Sequence, residues 1–204
     1  MSRFLPQSPL RRTSMQRDAL IRLIAREFVA RRPPHEKLSE LDAYWHWDED
    51  SDGWQRLPGS VREEMLRRPD SPPKLWRSTY DAFFEFLEED ARRIVRNEAL
   101  LEEARVLGVE VDSVEGQPAP AEPCPCCGFR TFLWRGEYDI CPVCMWEDDR
   151  EQDAFSDGPE RLARFSSPNH MTRAEYRDAY EAHREEDLRS GDPERLRKYE
   201  RFLR

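Results

Sequence analysis

The sequence predicts a mainly α-helical protein with a small β zinc ribbon: a helical N-terminal domain, then a four-cysteine ribbon followed by helices. Three observations predict it. Cys124, Cys127, Cys141 and Cys144 form two Cys-x-x-Cys pairs separated by 13 residues, in the settings Cys124-Pro125-Cys126-Cys127-Gly128 and Cys141-Pro142-Val143-Cys144. That spacing and turn chemistry wrap four thiolates round one tetrahedral ion. Elsewhere apolar residues recur at the helical period, and the charged fraction of 37% exceeds the usual quarter or so of a soluble domain, which suits extensive helix surface.

Residues 1–12 hold Pro6 and Pro9 with no periodic pattern and read as a flexible arm. A helical domain over residues 13–108 follows. Its first helix begins near Thr13 or Ser14, carries Leu20, Ile21, Leu23, Ile24, Phe28 and Val29 on an apolar face, and closes at Pro33-Pro34. A short helix runs from Pro58 through Arg68, with Ser60 and Glu63 forming a capping box. From Leu75 to Leu107 the helical signal is the longest in the chain, as one helix or two broken near Asn97, with Gly108 as the stop. Residues 109–123 lose the period, gather Pro118, Pro120 and Pro123, and read as a linker.

Residues 124–204 form the last domain. Phe129 to Trp134 and Glu137 to Ile140 are rich in β-formers, and Arg135-Gly136 between them reads as a hairpin turn. So small a ribbon folds only with its metal, a structural zinc, although a rubredoxin-like iron site would use the same ligands. Cys126 reads as a non-ligand beside the site, with replacement of Cys124 or Cys127 as a ligand, or a reactive thiol, as the alternatives. Thr172 and Glu175 form a second capping box, opening a helix to about Arg189. Gly191-Asp192-Pro193 ends it, and a last helix spans Glu194 to Arg204.

The cysteine segment resembles a small bacterial cysteine-rich family named for its CPCC motif. The matching residues are Cys124 to Gly128, Thr131, Gly136, Tyr138, Ile140 to Cys144, Trp146 to Asp149, Pro168, Asn169, Thr172, Glu175, Arg177 and Tyr180; Ser167, Tyr176 and Ala179 depart from the pattern. The resemblance covers about a third of the chain. It implies a zinc ribbon followed by a helix and leaves the activity open. Residues 1–116 show no such resemblance.

A net charge of −9 disfavours a protein whose main task is gripping phosphate backbones. No apolar stretch is long enough for a bilayer span or a secretory core, and five cysteines bunched within 21 residues suit a reducing compartment, so a cytoplasmic protein is expected. Charge is uneven. Residues 1–32 carry 8 basic and 2 acidic side chains, residues 33–64 carry 3 and 9, so the two stretches attract each other or a partner of opposite sign.

No nucleophile elbow, phosphate loop or His-Glu-x-x-His motif is present, and four cysteine ligands leave zinc no open position, so no enzyme is expected. His46 and His170 read as structural. The expected function is binding of another protein, in its sharpest form as an immunity protein that occludes a basic toxin. Trp45, Trp47, Asp48, Glu49 and Asp50, with Trp146, Glu147, Asp148 and Asp149, are the candidate partner-binding residues. Nucleic-acid binding through Arg130, Arg135 and the arginine-rich first helix is the alternative, and a metal-dependent hydrolase the third reading. Asp153 and Asp157 extend the second acidic run without calcium-loop spacing.

Overall fold

A computed structural model describes residues 13–45, 48–50, 54–149 and 165–204. The expected arm, His46, Trp47, Asp153 and Asp157 lie outside them. The chain divides into two compact units, Met1–Arg92 with Leu100–Gly116, and Arg93–Ala99 with Gln117–Arg204.

The first unit opens on a strand. β1 (Ser14–Gln16) pairs in parallel with β2 (Ser113–Glu115), Met15 opposite Val114. Two expectations are thereby corrected: the first helix starts at Arg17, and part of the expected linker is ordered sheet. The physical reason is a pairing partner 99 residues away. The Thr13 backbone N–H donates to Asp112 Oδ2 at 2.8 Å, and the Asp112 N–H returns a bond to the Thr13 carbonyl at 2.9 Å. Gly116 then turns the chain at φ +113, where a Cβ would stand 3.2 Å from the Arg17 Cβ.

Helix α1 (Arg17–Arg31) buries Leu20, Ile21, Ile24, Ala25 and Val29 and packs on α4 (Asp81–Arg92), which buries Phe83, Phe84 and Phe86. Between them lie α2 (Pro34–Tyr44), which Pro34 opens at N1, and α3 (Gly59–Arg67). Pro33-Pro34 therefore starts a second helix besides closing the first. Pro58, not Ser60, occupies the N-cap of α3, its carbonyl accepting from Val61 and Arg62, so the expected capping box does not form. The long signal from Leu75 resolves into a 3-10 turn at Ser78–Tyr80, α4, and α5 (Asn97–Val106), with Arg93–Arg96 between the two helices. Gly108 follows α5 at φ +77.

Trp45 is fully buried in the core with Leu41, Trp54, Val61, Met65, Tyr80 and Phe83. Its ring meets Tyr80 edge-on at 6.1 Å, and its Nε1–H donates to the Arg68 carbonyl at 2.8 Å. It is an internal anchor, which corrects its assignment to a partner surface. Trp is large enough to fill this core, and its single donor has an acceptor there. Asp48, Glu49 and Asp50 are exposed as expected.

Polar groups close the unit. The buried Lys37 ammonium donates to the Val29 carbonyl at 3.2 Å and to Asp81 at 2.6 Å, and stands 4.6 Å over the Trp76 ring. Glu64 accepts from Arg68 at 2.7 Å, from the Tyr80 hydroxyl at 3.0 Å and from Arg77. Burial pushes the Glu64 carboxyl up, but the bonds from Tyr80, Arg77 and Arg68 outweigh it and leave the pKa below the ordinary value.

In the second unit, β3 (Glu122–Pro123) pairs antiparallel with β4 (Arg130–Phe132), and β5 (Phe165–Ser166) with β6 (Met171–Thr172). Helix α6 (Arg173–Ser190) begins at the Thr172–Glu175 capping box, both reciprocal bonds present, and ends at Gly191 in the left-handed region. Helix α7 (Pro193–Glu200) stops short of the expected Arg204 because the tail pairs elsewhere: the Arg201 carbonyl accepts from Arg96 and the Leu203 carbonyl from Arg130. Asp187 on α6, buried, accepts from the Tyr199 hydroxyl at 2.7 Å and forms an ion pair with Lys198 at 3.0 Å, tying α6 to α7. Among the described residues no helix is long and apolar enough to cross a membrane.

Two outcomes test the first unit. Trp45→Ala should destabilise it by about 3–5 kcal/mol, measured by urea unfolding. Because the folded Glu64 pKa is depressed, its stabilisation is fully present above the unfolded value of about 4.3 and is lost as pH falls through the folded value. An acid titration of unfolding should show that loss in the native chain and a flatter profile in Glu64→Gln.

Candidate metal centre

The two cysteine pairs sit on copies of one backbone device. The Cys124 N–H donates to the Phe129 carbonyl at 2.7 Å and the Gly128 N–H to the Cys124 carbonyl at 2.9 Å. The second loop repeats both bonds at the same offsets: Cys141 N–H to Trp146 carbonyl and Met145 N–H to Cys141 carbonyl, each 2.8 Å. The residue four places after the first cysteine is left-handed in both, Gly128 at φ +79 and Met145 at φ +65. Each loop turns its two thiols to the same side, and the loops bring four sulfurs together.

The Sγ atoms of Cys124, Cys127, Cys141 and Cys144 all lie within 4.8 Å of one another and are buried. Cys124 and Cys144 sulfurs are 3.6 Å apart, Cys127 and Cys141 sulfurs 3.7 Å. A disulfide would need about 2.05 Å. A tetrahedron of sulfurs about 2.3 Å from a central ion has edges of roughly 3.8 Å, so the donor set fits a thiolate-bound ion. Hydrogen bonds among the four sulfurs shift the thiols in opposite directions. The bond with Cys127 pulls Cys124 down and the bond with Cys124 pulls Cys141 down, while Cys124 holds Cys127 and Cys144 above the ordinary thiol range. Four thiolates together require a cation, and binding it displaces the thiol protons.

Cys126 is buried at 4% exposure but is not one of the four. Its carbonyl accepts from Arg177 Nε at 3.1 Å, and the Pro125 carbonyl accepts from the same guanidinium at 2.7 Å. The Tyr176 hydroxyl donates to the Cys144 carbonyl at 3.0 Å, so α6 holds one loop by Arg177 and the other by Tyr176. Thr131 Oγ1 lies 3.3 Å from the Cys141 sulfur, the outer-sphere bond that steadies a thiolate ligand.

The expected hairpin does not form between Phe129–Trp134 and Glu137–Ile140. β4 pairs with β3 instead, and Ile140 forms a bridge with Glu147. Asp148 is the reason. Its carboxylate accepts from Arg135 at 2.7 and 2.9 Å and from the Gly136 N–H at 2.7 Å, while its backbone bonds Tyr138 and Asp139. One buried acid thereby folds 135–139 against 145–148.

The second acidic run is accordingly internal, a correction to its reading as a partner surface. Trp146 is fully buried, with Tyr176 edge-on at 5.1 Å and Arg173 at 5.9 Å over the ring. Asp148 and Asp149 are buried, and Asp149 accepts from Ser166 at 2.7 Å. Glu147 keeps partial exposure, but the Asn169 amide clamps its backbone N–H and carbonyl, each at 2.9 Å. A buried carboxylate is tolerated when donors surround it, as here. His170 is exposed in a turn at φ +56. Sequence reasoning missed Met145, whose only sequence signal was its offset from Cys141, the same as that of Gly128 from Cys124.

Metal analysis should return one ion per chain. Cys141→Ser should lose it and unfold the second unit, whereas Cys126→Ser should retain it. Met145→Gly should raise the stability of the metal-loaded unit by about 1 kcal/mol, read in thermal unfolding, because it relieves a left-handed non-glycine residue.

Residues 122–189 match the family described as cysteine-rich CPCC. No curated protein and no solved structure matches the chain. The match spans both cysteine loops and most of α6, so the metal-centred C-terminal third of this chain is similar to that family.

Proposed function

We propose that the bound ion is a structural zinc and that the protein is a cytosolic, non-enzymatic binder of another protein. The carrying observation is an exposed turn built on the metal-centred unit. Trp134, Tyr138 and Ile140 are 64%, 52% and 54% exposed, and Glu137 and Asp139 stand exposed among them. Asp148 pins the base of this turn, and Tyr138 is held at φ +62. Large apolar side chains presented on a rigid base are the anchors of protein interfaces, and carboxylates beside them favour a basic partner surface. The net charge of −9 acts in the same direction through steering.

The sharper form is an immunity protein that neutralises a cognate basic toxin. The nucleic-acid reading loses support from the engagement of two of its expected contacts: Arg135 is bound by Asp148, and Arg130 donates to the Ala121 carbonyl at 2.8 Å. A hydrolase would need a vacancy at the metal, and four sulfurs fill a tetrahedron.

Co-expression with the product of the neighbouring gene tests the reading. A toxin partner should co-purify and its toxicity should be suppressed; failure of both removes the immunity form. With a partner in hand, Trp134→Ala or Tyr138→Ala should weaken binding at least about tenfold while the metal is retained. Unchanged affinity in both would place the interface elsewhere.

A further inference from the structure

Beside the metal-bearing loop of Cys141–Cys144 lies a cavity of about 320 Å³. Met145, Met171, Tyr176 and Tyr180 form its apolar walls, and His183 and Lys198 its polar edge. That size falls at the lower end for small-molecule sites, which pair an apolar lining with a few polar groups.

Three features distinguish it from a packing defect. The first is Met145. Its counterpart in the other loop is Gly128, and the left-handed backbone at this position favours glycine. A methionine is nonetheless present, 63% exposed, with its side chain on the cavity wall. Strain retained at such a position points to a use for the side chain, and thioethers adapt to varied apolar shapes. The second is Tyr180, 5% exposed, whose buried hydroxyl has no hydrogen-bond partner among the described residues. The neighbouring Tyr176 hydroxyl is satisfied by the Cys144 carbonyl. A buried, unpaired donor is unfavourable unless an acceptor arrives. The third is the edge: Lys198 pairs with Asp187 at 3.0 Å while remaining 31% exposed, and His183 stands 3.5 Å from the same carboxylate. Asp187 itself is only 1% exposed, so the Lys198 ammonium, 31% exposed, and not the carboxylate faces outward.

We propose that this cavity binds a small apolar carboxylic acid, with the hydrocarbon body among Met145, Met171 and Tyr176 and the carboxylate taken by Lys198, His183 and the Tyr180 hydroxyl. The site is independent of the protein-binding turn at Trp134 and Tyr138.

The test uses the full metal-loaded chain and three isosteric probes: 3-phenylpropanoate, its amide and 3-phenylpropylamine. Calorimetry should give the acid a Kd of about 0.1–1 mM, the amide roughly tenfold weaker binding and the amine none. With methyl-labelled methionine, the acid should shift the Met145 and Met171 signals and leave Met15 and Met65 in place. Met145→Gly and Ala179→Trp should each abolish the shift of Met171 while metal analysis still returns one ion per chain. No saturable binding of the acid, equal affinity for all three probes, or shifts confined to Met15 and Met65 would overturn the proposal. Should a variant lose its metal, the probe series on the unmodified chain decides alone.

Discussion

Convergence of four sulfurs on one point is the constraint from which the second unit follows. Its strands are two or three residues long, too short to hold a sheet by their ladders. An ion at the centre of the cluster couples ligand binding to folding, because the site does not exist in the open chain. Once the loops are closed, the carbonyls of Pro125, Cys126 and Cys144 are presented in fixed positions, and Arg177 and Tyr176 seat α6 on them. Asp187 then carries that order to α7. The residues through which this segment resembles the CPCC family thereby gain a physical meaning: Gly128 turns a loop, Thr131 bonds a ligand sulfur, Asp148 and Asn169 fix the backbone, and Thr172, Glu175 and Arg177 start and dock the helix.

Charge in this protein is used internally as well as at the surface. Lys37, Glu64 and Arg92 in the first unit and Asp148, Asp149 and Asp187 in the second are largely enclosed, each with charged or hydrogen-bonding partners. Such groups contribute little net stability over apolar packing, but removing one partner leaves a buried charge without compensation. The Trp-Glu-Asp-Asp run is therefore a fastening. The acidic surface available to a partner is correspondingly smaller than the net charge suggests.

Four protein sulfurs complete a tetrahedron round an ion, so such a centre acts first on the shape of the chain. What the centre does is hold other groups where an unsupported chain would not: the turn at Trp134, Tyr138 and Ile140 on one side of Asp148, and the strained Met145 beside the cavity. Both are regions where large apolar side chains remain exposed on backbone positions defined by hydrogen bonds. Rigid presentation of this kind lowers the entropy lost on binding.

The sequence by itself determined the two cysteine knuckles whose sulfurs converge, the helical character of both halves, the capping box at Thr172 and the stop at Gly191, because each depends on residues within a few positions of one another. Periodicity and knuckle spacing are local physics. It did not determine which aromatic and acidic residues face water: Trp45, Trp146, Asp148 and Asp149 look like surface anchors in one dimension and are interior in three. It also concealed the parallel pairing of Ser14–Gln16 with Ser113–Glu115 and replaced the true partner of β4 with a nearer one. Those outcomes rest on contacts between distant segments, where a buried carboxylate finds its donors and a short strand its mate, and only the tertiary structure brings such partners together.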